Sequence, residues 1–180
     1  MGGNSKRRFI ELGDPIYDEI SKKIRQSYPN ACICWIECND NSVLKEKYDL
    51  RKTEVQALRD INEQELFHGS DISSIDNICE VGFDPTMNRM SAYGKGSYFA
   101  KHASYSKNYM KETKEGLKFM ILSDVIVGSP CLGSATLDIN KNIYDSAVNS
   151  LTDPTIIVIP HNDAAYPKYI MSFYTGDRLV

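Results

Sequence analysis

The sequence predicts an α+β fold, and three observations carry that prediction. Helical periodicity dominates the first sixty residues. Strand-like runs dominate the remainder. The two kinds of segment do not alternate regularly, as a doubly wound parallel sheet would require. The 180 residues are 42% apolar, enough for one domain with a sizeable core.

Residues 1–13 read as a flexible lead and 14–180 as a single domain. Asp14-Pro15 is a cap followed by proline at the first helical position, and Ile16, Tyr17, Ile20 and Ile24 recur at helical spacing. The spacing therefore predicts a helix over 15–26. Residues 31–38 are β-like, 39–41 form a turn, and 42–60 are helical, with Leu44, Tyr48, Val55 and Leu58 as apolar contacts. A short strand spans 65–68. Ile72, Ile75 and Ile78 or Cys79 mark one face of a helix closed by Gly82. Residues 84–96 read as a loop, 97–100 as a strand, and the stretch to about 110 as helical. Strands follow at 118–127, 155–159 and 168–174, with an irregular region from 128 to about 142.

Charge and composition exclude several classes. Twenty-one Lys and Arg against 24 acids give a net charge of −3, so general phosphate neutralisation is not the binding mode. No apolar run approaches the roughly 18 residues of a membrane span. The first eight residues lack the apolar stretch of a secretory signal. Five cysteines, an odd number without a tight framework, fit a reducing compartment, so an intracellular location, cytoplasmic or nuclear, is expected. Cys32, Cys34 and Cys38 have no second pair or nearby histidines, and no metal site is expected. Their shared parity predicts small buried residues on one strand face.

Three segments carry candidate chemistry. In Leu66-Phe67-His68-Gly69-Ser70 a histidine ends a strand, on the same face as Leu66 and opposite Phe67. In Tyr93-Gly94-Lys95-Gly96-Ser97-Tyr98-Phe99-Ala100 two glycines permit close approach of backbone to a ligand. In the third, Ser106 and Tyr109 are three apart and share a helix face. Each is weak alone: a satisfied histidine, a packing tyrosine and a polar helix face are the bland readings.

In combination these segments, with Gly82-Phe83 between the first two, resemble the catalytic domain of the poly(ADP-ribose) polymerase family, the diphtheria-toxin-like ADP-ribosyltransferases. Val127 to Pro130, Tyr144 to Ser146, Pro154 to Ile159 and Tyr166 to Ile170 extend the likeness over 66–173. The resemblance implies two packed, mainly antiparallel sheets with an NAD cleft between them and flanking helices. NAD would be a co-substrate, with no metal. His68 would hydrogen-bond the NAD ribose, while the backbone of Gly69 and the hydroxyl of Ser106 hold the nicotinamide amide. Tyr98 and Tyr109 would sandwich its ring, and Ser70 would reach the adenosine ribose. The loop 84–96, with Tyr93 and Gly96, would cover the dinucleotide.

Polymer-forming members of the family place a glutamate near the start of the penultimate strand. Counting back from Tyr166-Pro167-x-Tyr169 puts Ile156 there, and a one-residue slip gives Thr155 or Ile157; none is a general base. The resemblance thus implies a His68–Tyr98–Ile156 site that transfers single ADP-ribose units to an acceptor, most simply a Glu or Asp side chain of a protein, itself included. An NAD- or ADP-ribose-binding module without activity, and an NAD glycohydrolase, are the alternatives. A nucleic-acid acceptor also stays open, with Lys107, Lys111 and Lys114 near the expected cleft. No module that would sense DNA breaks is present, so DNA-dependent activation is not expected.

Overall fold

A computed structural model describes residues 6–89, 91–139 and 143–175. In chain order the elements are β1 (Lys6–Ile10), α1 (Pro15–Arg25), β2 (Ile33–Asp40), α2 (Ser42–Gln56), β3 (Glu63–Ser70), α3 (Ile72–Val81), β4 (Ser97–Ala100), α4 (Ala103–Ser106), β5 (Leu117–Ile126), β6 (Pro130–Leu132), β7 (Ser146–Val148), β8 (Ile156–Ile159) and β9 (Ala165–Tyr174). The architecture is α+β.

The helices start where the capping residues stand. The Asp14 side chain accepts from the Ile16 amide at 2.9 Å, ahead of Pro15, and Ile20 and Ile24 are buried below it. Asn41 caps α2 by accepting from the Leu44 amide at 3.1 Å, and its amide group donates to the carbonyls of Cys79 and Glu80. One side chain thus ties the start of α2 to the end of α3. Leu44, Tyr48 and Val55 are buried, but Leu58 lies past the end of α2 and is exposed. Gly82 ends α3 at φ +92°, a conformation that favours glycine.

The strands form one hydrogen-bonded series in the order β1-β2-β9-β5-β3-β4-β8-β7-β6, antiparallel except for β6 with β7. This differs from the expected pair of separate sheets. The two halves of the series meet at β3 and β4, where Phe67 opposite Ala100 is the register pair. Both halves feed one apolar cluster that includes Leu66, Ile121, Val125, Val148, Ile157 and Ile159.

Three expectations are corrected. Residues 6–10, assigned to a flexible lead, form an edge strand paired with β2, and residues 1–5 of that lead lie outside the described residues. The region 128–142 contains the short strand β6. The cysteines are not a buried row: Cys32 and Cys34 are exposed and Cys38 is half-buried. On that face of β2, Ile36 alone is fully buried, and the register against β9 shifts between Ile33 and Trp35. Among the described residues no three His, Cys, Asp or Glu side chains converge as metal ligands, and no helix is long and apolar enough to cross a membrane.

Candidate active site

A cavity of about 540 Å³ lies where β3 and β4 part, covered on one side by α3 and on the other by α4 and the turn after it. Its wall includes His68, Gly69 and Ser70 of β3, Tyr98 of β4, and Ser106 and Tyr109. Six of the nine site residues expected from the sequence are therefore brought together.

His68 follows Leu66 on one face of β3, as parity requires. Its ring packs edge-on against Phe83, with centroids 5.2 Å apart, and lies 5.7 Å from the ring of Phe99. Its Nδ1 is 2.8 Å from the carbonyl oxygen of Tyr98. A carbonyl can only accept, so Nδ1 carries the proton and Nε2 is left with a lone pair. Burial pushes the imidazole pKa down, partly offset by the Tyr98 carbonyl, which keeps this neutral tautomer at pH 7.

Gly69 is where only glycine fits. A β-carbon there would overlap the backbone oxygen of Ser106, and would sit 3.0 Å from the carbonyl carbon of Ser106 and 3.3 Å from Cγ of Met110. The close approach sets the backbone of Gly69 beside Ser106, which is buried at 3% exposure. Beyond Phe67, the edge of β3 facing β4 has no ladder partner, which leaves main-chain groups toward the cavity.

Tyr98 works at both ends. Its carbonyl orients His68, and its hydroxyl accepts from the Tyr93 amide at 3.0 Å and donates to the Gly94 carbonyl at 2.7 Å. The loop before β4 is thereby pinned to the cavity wall. Tyr109 follows on a one-turn 3-10 helix, Lys107–Tyr109, and is 38% exposed. Its hydroxyl donates to that of Tyr105 at 3.0 Å.

Tyr93, Gly96 and Ile156 do not line the cavity. Tyr93 packs against an apolar cluster behind the wall. Gly96 serves strand packing, because a β-carbon there would come within 2.6 Å of the Ile159 carbonyl oxygen. Ile156 is buried in the same cluster as Tyr98, Ala147 and Val158. Its amide and that of Thr155 both donate to Oδ1 of Asn149 at 3.0 Å. The nearby acid in sequence, Asp153, is a surface partner of Lys101 at 3.4 Å.

The carboxylates on the cavity wall, Asp71 and Asp84, are committed to caps. Asp71 accepts from the Ser74 amide and hydroxyl, and Asp84 from the Thr86 hydroxyl and amide; in each case those bonds hold the carboxyl below its usual range. Of the three lysines expected near the cleft, Lys111 lines the cavity, whereas Lys107 sits over the ring of Tyr28 at 4.8 Å. Sequence reasoning missed Asn77 and Tyr105 as wall residues. The signal for Tyr105 was present: it stands four residues before Tyr109, one helical turn away.

Comparison with known proteins bears on this arrangement. The profile of the poly(ADP-ribose) polymerase catalytic domain matches residues 17–168. The mouse (Mus musculus) protein mono-ADP-ribosyltransferase PARP12 is 32% identical over 185 residues, covering 96% of this chain and 26% of the relative. The human (Homo sapiens) protein mono-ADP-ribosyltransferase PARP14 is 31% identical over 180 residues, 91% of this chain and 10% of the relative. The mouse protein mono-ADP-ribosyltransferase PARP11 is 28% identical over 189 residues, 88% of this chain and 57% of the relative. The chain thus spans about a quarter of the length of PARP12.

Proposed function

The chain belongs to the poly(ADP-ribose) polymerase catalytic-domain family, and on that premise we propose that it transfers single ADP-ribose units from NAD to a protein carboxylate, releasing nicotinamide. The proposed catalytic unit is residues 14–180, extended by β1. The observation that carries the reading is one cavity that holds a neutral His68 beside Gly69, Ser106 and two tyrosines, with no carboxylate free of a cap among its described wall residues.

The cavity's donors and shape fit NAD as substrate. The close approach of Gly69 to Ser106, which a β-carbon would block, sets the Gly69 main chain beside Ser106, and that main chain with the Ser106 hydroxyl would hold the flat amide of nicotinamide. The ring would lie between Tyr98 and Tyr109, an oriented apolar slot. Nε2 of His68 would accept a hydrogen bond from a ribose hydroxyl, and Ser70 would reach the second ribose. Lys111 is the cation on the cavity wall among the described residues, placed to meet the pyrophosphate.

Breaking the bond between C1′ of the ribose and the nicotinamide nitrogen leaves its electron pair on nicotinamide and positive charge on the ribose. The chain's contribution is to fix both fragments in that orientation. A new C–O bond then forms at C1′. The resemblance puts Ile156 where polymer-forming members carry a glutamate, and the carboxylates on the described cavity wall are committed to caps, so the acceptor would bring an ionised nucleophile. A Glu or Asp carboxylate is already ionised at pH 7. The Cys content fits a reducing, intracellular setting.

The test is to incubate the purified chain with NAD, follow free nicotinamide and record intact mass. Discrete additions of one ADP-ribose, lost in His68→Ala with folding intact, support the proposal. Nicotinamide release at unchanged mass, with candidate acceptor proteins also unmodified, would replace it by hydrolysis. No release, with NAD-dependent thermal stabilisation, would make the chain a binding module.

A further inference from the structure

Tyr109 is poorly held by its own surroundings for a residue that forms one wall of a ring-binding slot. It sits on a single 3-10 turn in which no residue is buried, and it is 38% exposed. An unrestrained tyrosine there would have to lose side-chain freedom on each binding event. Tyr105 supplies the restraint. Its ring packs on the cluster of Tyr98, Ile139, Ala147, Ile156 and Val158, and lies 5.3 Å from the Tyr109 ring at 48°. Its hydroxyl accepts the 3.0 Å hydrogen bond from Tyr109.

We propose that Tyr105 is a positioning residue, which fixes Tyr109 as the outer wall of the slot through the hydroxyl pair. The inference rests on the reading of the cavity as a nicotinamide site. Tyr105 couples that outer wall to the cluster that also contains the inner wall, Tyr98, and the apolar residue Ile156. The slot is thereby held open at one width before the ring enters. Burial, followed by the bond from Tyr109, raises the pKa of the Tyr105 hydroxyl, so it stays protonated at physiological pH and the link persists.

A double-mutant cycle tests this on the full chain, with nicotinamide and NAD as probes. Tyr105→Phe and Tyr109→Phe each keep the ring and remove one half of the hydroxyl pair. A hydrogen bond of this kind is worth about 0.5–1.5 kcal/mol, so each variant should weaken nicotinamide binding and raise the KM for NAD by about 2–12-fold. The kcat should change far less than KM, and Tm should fall by no more than about 1–6 °C. The double variant should lose no more than either single one, because both remove the same bond. Wild-type affinity in Tyr105→Phe, or losses that multiply in the double variant, would overturn the role of Tyr105 while leaving the cavity assignment standing. A wild-type chain that binds neither probe would overturn the cavity assignment, and this inference with it.

Discussion

Replacing Gly69 by alanine probes the narrowest point of the site. The added β-carbon would overlap the Ser106 carbonyl oxygen and meet its carbonyl carbon at 3.0 Å, and both atoms are backbone. Neither can swing aside as a side chain would. Relief therefore requires that the end of β3 and the segment at Ser106 separate. Restoring an ordinary contact takes a movement of about 1.4 Å, beyond the roughly 1 Å of misplacement that near reacting groups costs about 10²-fold in rate. The fold pays as well: overpacking of this sort costs about 1–3 kcal/mol, which for a chain of this length lowers Tm by about 2–12 °C. The assay is kcat/KM for nicotinamide release beside a thermal melt and nicotinamide titration of the same preparation. The expected result is a modest fall in Tm with a disproportionate loss of nicotinamide affinity and turnover. Wild-type turnover and affinity in Gly69→Ala would refute the argument that the Gly69–Ser106 approach shapes the site.

Further outcomes follow from other residues. His68 has its pKa lowered by burial from the ordinary 6.5, so the unfolded chain binds this proton more readily than the folded one. Its contribution to stability is complete above about pH 6.5 and declines as pH falls from there toward the lower folded value; melts between pH 5 and 8 should show it, and His68→Gln should remove part of it, the rest coming from His161, lowered in the same direction. NAD turnover should be flat above pH 7 and fall on that same acid side. Ile156→Glu places a carboxylate in an apolar cluster, costs about 1–3 kcal/mol, and should yield no polymer when its products are resolved by intact mass. Tyr98→Phe frees the Tyr93 amide and the Gly94 carbonyl, so amide exchange across 91–96 should quicken while the rest of the sheet keeps its protection.

How much of this was legible in the sequence depended on the kind of signal. Caps were legible: Asp14 and Gly82 each act within a few residues, and their chemistry does not depend on the rest of the fold. The facing of His68 followed from strand parity. The cysteines show where parity stops: it says which residues share a face, not whether that face is covered, and β2 lies second from the edge of the sheet. β1 was illegible because a Lys-Arg-Arg-Phe-Ile run on an edge strand buries only Ile10 and leaves no alternation. β6 and β7 are three residues each, too short for any period to register. The expected cavity-wall roles of Tyr93 and Gly96 gave way to packing, since a motif fixes order along the chain but not which of its members face the opening. Tyr105 was hidden by its neighbours, because the Ser and Lys around it read as a solvated face.

The position of β9 has a consequence for how the chain acquires its shape during synthesis. The last strand is not at the periphery: it runs between β2 and β5, pairing Ile36 with Met171 on one side and Ile121 with Ile170 on the other. A nascent chain that has made everything up to β8 still lacks the strand whose ladders join β1 and β2 to the rest of the sheet. Contacts spanning most of the chain must close before the fold is complete, which favours slow, late consolidation over stepwise growth from the N-terminus. Ribosome-bound chains stopped before residue 165 should therefore be protease-sensitive throughout. A change confined to β9 should lower the yield of folded protein more than an equal change in β1, at the same distance from the site.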